Sequence, residues 1–227
     1  MLAFDPTNPF PLFPAASRPY AEAKAHAALV DEWLGLRSEA VERAVLANPR
    51  YAASTASDPC AQEYWRGLPS ASLQTPYVEL RALLDQVAPA PGQTLVDLGS
   101  GLGRLAHVVG REHPGVRFVG YEIVEERVVE SRRCLAPFDY PNVRIERADL
   151  SATGFVPLRA DFYFLYDFGS RRAIEKSLSD LRQIAQSSAI TVVARGGLSR
   201  SLIARHHPWL GDVRTPRHYD NYSIYES

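Results

Sequence analysis

The sequence predicts an α/β domain: a largely parallel sheet covered by helices on both faces, preceded by a helical cap. Three observations carry this. From Thr94 onward, short apolar runs alternate with helical periods, the pattern of strand–helix–strand units. The first of these runs leads straight into a glycine-rich turn that opens a helix. Upstream, residues 20–74 carry helical periods and no comparable strand run. The chain has 227 residues, 46% of them apolar, enough for one full-sized core without disulfide staples. Its formal net charge of −1 supplies no global basic field for binding nucleic acid by charge alone.

The elements follow in order. Residues 1–19 carry Pro6, Pro9, Pro11, Pro14 and Pro19 between Phe4, Phe10 and Phe13. Proline at that density blocks helix and favours an extended arm, and the phenylalanines require an apolar surface beneath it. That surface is either the arm's own domain or, if the arm is swapped between copies or acts as a lid, a second surface; a homodimer formed through the arm is the partner this implies. Residues 20–47 read as helix, with Ala25, Leu29, Trp33 and Leu36 on one face, a break at Gly35 and a stop at Asn48-Pro49. Ser57-Asp58-Pro59 has the form of another helix start, with Asp58 as cap. Thr75-Pro76 is a third start, followed by Tyr77, Leu80, Leu84 and Val87 on one face and stopped by Pro89. The strand runs are Thr94–Leu98, Arg117–Ile123, Val143–Arg147, Asp161–Asp167 and Ala189–Ala194, with helices expected near 103–112, 124–135 and 171–186. In the last of these helices Ile174, Leu178, Leu181 and Ala185 share a face. A shorter helix near 199–206 precedes the tail His218–Glu226, whose alternation predicts a terminal, antiparallel strand. There is no internal repeat. The domain boundaries read as an extended arm over 1–19, a helical cap over 20–74 and the sheet domain over 75–227.

Cys60 and Cys134 form no metal or disulfide spacing and read as two reduced thiols, which with the absence of a basic, apolar leader points to the cytoplasm. No apolar run approaches the ~18 residues that cross a membrane. The six histidines have no zinc spacing with the cysteines and read as surface or packing residues. The pairs Arg132-Arg133 and Arg171-Arg172 read as solvated helix faces, so nucleic acid is not the expected partner.

The most informative segment is Val96-Asp97-Leu98-Gly99-Ser100-Gly101-Leu102-Gly103-Arg104. Glycines after a strand let the backbone turn tightly and let a ligand approach it. The spacing is G-x-G-x-G, not the G-x-G-x-x-G of a dinucleotide fingerprint, and no loop lysine is present for a P-loop. The second strand ends in Gly120-Tyr121-Glu122 and the third in Arg147-Ala148-Asp149-Leu150. A carboxylate at Glu122 can accept from both hydroxyls of a ribose, and Asp149 stands where an adenine amino group could be read. Three acidic positions after three successive strands make one nucleoside site.

With VDLGSGLGR, GYEI and RADL in this order, residues 75–227 resemble the class I S-adenosylmethionine-dependent methyltransferases. The resemblance implies a Rossmann-like, seven-stranded, mostly parallel sheet with its last strand antiparallel, and S-adenosyl-L-methionine as cofactor. It implies that Asp97, Gly99, Ser100, Gly101 and Gly103 hold the methionine part and Glu122 the ribose. It also implies that Asp149 reads the adenine amino group while Ile123 and Leu150 flank the ring. The position after the fourth strand lies beside the transferable methyl in that family, which makes Tyr166 and Asp167 the catalytic candidates; Asp167 could orient or deprotonate an amine or hydroxyl.

Asp167-Phe168-Gly169-Ser170 lacks the two prolines of many amine-modifying members, and Ala194-Arg195-Gly196-Gly197 lacks the Asp-Asn pair of metal-dependent O-methyltransferases. No catalytic metal is therefore expected. Leu73-Gln74-Thr75-Pro76-Tyr77-Val78-Glu79-Leu80 is loosely similar to a cofactor-touching segment of the non-SET class I histone lysine methyltransferases. That makes Thr75, Tyr77 and Glu79 cofactor-loop candidates, although Val78 replaces a glycine and the same stretch also reads as an ordinary helix start. The expected function is methyl transfer to N or O of a small molecule. A protein-lysine methyltransferase and a cofactor-binding subunit or sensor without turnover are the alternatives. The residues from Phe4 to Leu73, surplus to the cofactor core, are where acceptor choice is expected to reside.

Overall fold

A computed structural model describes residues 4–13, 19–51, 64–65 and 67–227. The helix start expected at Ser57–Pro59 and the Cys60 thiol lie outside these residues. The sheet has seven strands: β1 (Thr94–Leu98), β2 (Arg117–Glu122), β3 (Val143–Arg147), β4 (Phe162–Tyr166), β5 (Thr191–Arg195), β6 (Arg217–His218) and β7 (Tyr222–Glu226). Their order across the sheet is β3-β2-β1-β4-β5-β7-β6. The first five are mutually parallel, and β7 runs antiparallel to both β5 and β6. The fold class read from the sequence is therefore the observed one. The tail differs in one respect: it is a hairpin, β6 turning at Tyr219–Asn221 into β7, where one strand was expected. Arg200 holds that turn by donating to the Tyr219 and Asp220 carbonyls, a contact from a distant helix that strand alternation cannot reveal.

The helices are α1 (Tyr20–Leu34), α2 (Ser38–Ala47), α3 (Tyr77–Val87), α4 (Arg104–Glu112), α5 (Glu125–Leu135), α6 (Arg171–Ala185) and α7 (Gly197–His206). Gly35 separates α1 from α2 by taking the left-handed conformation at φ 67°, which only glycine adopts freely. Ser170 caps α6 through its hydroxyl, which accepts from the Ala173 amide. β1 shows how the core is divided. Leu95 faces a cluster built with α3 and α4, whereas Val96 and Leu98 face a second cluster built with α6 and α7.

One expectation is corrected here. The buried face of α1 is Ala23, His26, Ala27, Val30, Asp31 and Leu34, not the face through Ala25 and Leu29, both of which are exposed. The reason is polar: Asp31 is drawn inward by Tyr77 and Arg104, and an apolar-only count cannot see an inward-facing carboxylate. The N-terminal arm packs on its own domain. Phe10 is buried and stacks on Tyr77 at 5.2 Å between ring centres, and Phe4 tilts against Trp33 at 5.9 Å.

The α4 glycine Gly110 supplies a test of packing against propensity. An alanine there would gain about 1 kcal/mol of helix propensity. Its Cβ would stand 2.5 Å from two ring carbons of Tyr140. Overpacking costs about 1–3 kcal/mol, so Gly110→Ala is expected to lower the urea midpoint despite its better propensity. A raised midpoint would show that Tyr140 moves away at no cost.

Candidate active site

The order of the sheet reverses between β1 and β4, and the crevice at their carboxyl ends is where open α/β sheets take ligands. The glycine loop fills the floor of that crevice. Gly99 sits at φ 88°, and a Cβ there would lie 2.1 Å from the Cβ of Phe168. Any side chain at position 99 therefore collides with the segment that follows β4. The loop is pinned to β2: the Gly99 and Ser100 amides donate to the Tyr121 carbonyl at 2.9 and 2.8 Å.

Glu122 joins loop to strand. Its carboxylate accepts from the Gly101 amide and from the Val124 amide, both at 2.9 Å, and it is almost fully buried. A carboxylate has about four lone-pair sites, so two remain for further donors. Beyond it lies a narrow cleft of about 310 Å³ lined by Ile123, Asp149, Leu150 and Phe168 among others. Asp149 is pre-set at its rim by the Ser151 amide and hydroxyl, at 2.8 and 2.6 Å. Glu122, Ile123, Asp149 and Leu150 thus share one cleft.

A second cavity, of about 530 Å³, is bounded by Asp97, Thr75, Gln74, Arg104, Tyr166 and Arg195 beside the glycine loop. The Asp97 carboxylate has no hydrogen-bond partner among the described residues. Burial, and then the charge of Glu122, push its pKa up to about 7. Arg195 ion-pairs with Glu79 and lies over the Tyr166 ring at 5.2 Å, while its buried Nε has no partner among the described residues. Ser100 lines the second cavity, with its Oγ standing over Gly120, 2.9 Å from where a Cβ would be.

A third, open cavity continues over the glycine loop and is bordered on the cap side by Glu42, Trp65, Leu68 and Leu73. Tyr166, Asp167 and Phe168 form its far wall. The Gln74 Oε1 and the Trp65 Nε1 are buried without a partner among the described residues.

The structure gives Asp167 a role the sequence does not show. Its carboxylate accepts from the Ser199 amide at 2.7 Å, the Ser199 hydroxyl at 2.6 Å and the Leu198 amide at 3.1 Å. It therefore caps the N-terminus of α7. Asp167 itself sits at φ 23°, a strained value for a non-glycine residue, and a Cβ at Gly196 would lie 2.2 Å from its Oδ2. Asp167 thus orders the wall. The Tyr166 hydroxyl makes no hydrogen bond among the described residues and remains the free polar group at the end of β4.

The three candidates before β1 separate. Thr75 is buried on the second cavity, and its carbonyl accepts from Arg104 at 3.2 Å. Tyr77 points into the core, donating to Asp31 at 2.7 Å and stacked on Phe10. Glu79 is engaged by Arg195. Sequence reasoning missed Arg195, Gln74, Trp65, Arg127 and Glu42. Arg127 binds Glu42 through two 2.9 Å hydrogen bonds, donates to the Tyr64 carbonyl and stands 3.8 Å from Glu122. No local pattern marks a pair that lies 85 residues apart.

Among the described residues no group of three His, Cys, Asp or Glu side chains could hold a metal. No described helix is long and apolar enough to cross a membrane. Cys134 is a buried free thiol, pushed up to about 11 by burial.

No family model and no curated protein matches the sequence. Solved structures do. TrmN from Thermus thermophilus is 17% identical with a TM-score of 0.52, the alignment covering 68% of this chain and 48% of that one. This chain therefore spans about half the length of that relative. An RNA methyltransferase from Salinibacter ruber, solved with S-adenosyl-L-homocysteine, is 24% identical with a TM-score of 0.49 over 67% of this chain and 91% of that one. The [4+2]-cyclase SpnF is 20% identical with a TM-score of 0.44 over 69% and 59%. The fold is that of the class I S-adenosylmethionine-dependent methyltransferases.

Proposed function

We propose that this protein is an S-adenosyl-L-methionine-dependent methyltransferase that transfers a methyl group to N or O of a small acceptor. The observation that carries the reading is the paired chemistry of the second cavity. Among the described residues a carboxylate without a partner, Asp97, and a buried guanidinium N–H without a partner, on Arg195, border one space beside the glycine loop. That is the complement of an ammonium and a carboxylate on one small molecule. Next to it, Glu122 offers two lone pairs to a ribose, and the Ile123–Leu150 cleft with Asp149 offers an apolar slot with one acceptor at its rim. An amino-acid head, a ribose and a purine in sequence describe the cofactor.

The cofactor would supply a methyl already activated on a sulfonium. What remains for the chain is alignment and exclusion of water. Glu122 and the glycine loop would fix the ribose, and the cap would close the cavity from above. Tyr166 would stand beside the reacting centre, where its hydroxyl can orient an acceptor. Asp167 would hold Tyr166, Phe168 and α7 in register without touching the reacting atoms. The domain division into arm, cap and catalytic sheet follows from the same reading, as does a cytoplasmic enzyme working without a metal.

Calorimetry with S-adenosylhomocysteine tests this, and Asp97 gives the test a sign. Its raised pKa means the carboxylate is largely neutral below pH 7 in the empty protein and ionised above it. An ammonium needs the ionised form. Affinity is therefore expected to be full above about pH 7 and to fall by up to about tenfold per unit below it, with proton release on binding at pH 6. Asp97→Asn is expected to bind weakly and without that slope. Absence of binding by the parent at millimolar ligand would sink the proposal.

A further inference from the structure

We infer that Glu42, on the cap helix α2, is a positioning residue for the cofactor: it holds the Arg127 guanidinium off Glu122 and so leaves the Glu122 lone pairs to the ribose. This rests on the methyltransferase reading above and gives the cap a part in cofactor binding.

Two carboxylates share one guanidinium here. Arg127 donates through Nε and Nη2 to the two oxygens of Glu42, both at 2.9 Å, and through Nη2 to the Tyr64 carbonyl at 3.0 Å. Its other nitrogen, Nη1, makes no hydrogen bond among the described residues and stands 3.8 Å from Glu122 Oε1. That oxygen already accepts from the Val124 amide and has a lone pair to spare. The side chains of Arg127, Glu122 and Glu42 are 7%, 6% and 11% exposed, so none of the three can turn to bulk water instead. A two-bonded fork fixes the plane and direction of a guanidinium. The fork goes to Glu42, and Glu122 is left outside hydrogen-bond reach.

The packing of α2 on α5 sets Glu42 in place for this. The contacts run in opposite chain order along the two helices. The Arg37 amide donates to Glu130 at 2.7 Å, Glu42 receives Arg127, and Asn48 Nδ2 donates to Glu126 at 2.6 Å. Beneath them Val41 and Val45 join Leu102 of the glycine loop and Val124 in one apolar cluster. Without the Glu42 carboxylate, one anion remains near a buried guanidinium. A buried charge without a partner is costly, so Arg127 closes on Glu122. The ribose hydroxyls then compete with an ion pair for the same lone pairs. Docking of α2 thus completes the ribose site from outside it.

Calorimetry with S-adenosylhomocysteine on the full chain compares the parent, Glu42→Ala and the double variant Glu42→Ala with Arg127→Met, each checked by circular dichroism. Glu42→Ala is expected to bind at least about tenfold more weakly. The double variant has no guanidinium to close on Glu122 and is expected to return to within about threefold of the parent. A contact made by Glu42 itself, or a merely structural role, would be lost in both variants alike. Adenosine and 2′,3′-dideoxyadenosine give a second readout. The preference for adenosine is expected to shrink at least about fivefold in Glu42→Ala and to return in the double variant. If Glu42→Ala does not fold, Glu42→Gln takes its place with the same direction expected, because a neutral amide holds the guanidinium less firmly than the Glu122 carboxylate attracts it. A single variant that binds as tightly as the parent, or a double variant no better than the single one, overturns the inference. Absence of binding by the parent overturns the cofactor reading instead. A crystal of the ligand-free single variant then decides whether Glu42 restrains Arg127: Nη1 within hydrogen-bond reach of Glu122 supports the restraint, and an unmoved guanidinium overturns it.

Discussion

Glu122→Ala is expected to weaken S-adenosylhomocysteine binding by at least about a hundredfold. In the proposed complex the carboxylate accepts from two ribose hydroxyls. Hydrogen bonds to a charged group contribute about 1.5–3 kcal/mol each, and about 3 kcal/mol corresponds to a factor of roughly a hundred in affinity. A second effect adds to the first. The same carboxylate ties down the Gly101 and Val124 amides, so its removal loosens the turn as well as emptying the ribose site. Glu122→Gln keeps the shape and one acceptor oxygen, and is expected to fall between parent and alanine. Calorimetry on variants with unchanged circular dichroism checks the order. An alanine variant that binds as tightly as the parent would falsify the ribose assignment.

Why Glu122 was legible and Arg195 was not follows from how each is placed. The acids at Asp97, Glu122 and Asp149 lie at the ends of three neighbouring parallel strands, within a few residues of a glycine turn or strand end. Strand alternation and turn chemistry are local, so they position such residues from sequence alone. The same holds for the break at Gly35. Arg195 reaches the site from β5, across β4, and meets Glu79 over a separation of 116 residues. Only the assembled sheet creates that meeting. Asp167 shows the complementary difficulty. Its position was legible, but its function as a cap for α7 depends on where Gly196–Ser199 returns, and that return is tertiary. The phase of α1 departs from its apolar spacing for the same reason, since the residue that turns it is a carboxylate paired 73 residues away.

That pair sets the second large effect. Asp31 on α1 receives a fork from Arg104, the first residue of α4, and a hydrogen bond from Tyr77 on α3. The side chains of Asp31 and Arg104 are only 11% and 9% exposed, so neither charge can be left to water when the other is removed. Asp31→Ala strands the Arg104 guanidinium and is expected to cost about 3–5 kcal/mol. In a domain of this size that is on the order of 10 °C in melting temperature. The double change Asp31→Leu with Arg104→Met removes both charges together and is expected to recover much of the loss, because the penalty lies in the unpaired charge more than in the missing attraction. The two readouts then part company. Arg104 also anchors the Thr75 carbonyl beside the second cavity and begins the helix that the glycine loop opens. The double variant should therefore melt near the parent temperature yet bind S-adenosylhomocysteine more weakly. Recovery of both would mean that the ion pair only docks the cap. Recovery of stability alone would mean that Asp31, from the cap, holds the cofactor loop in place through Arg104.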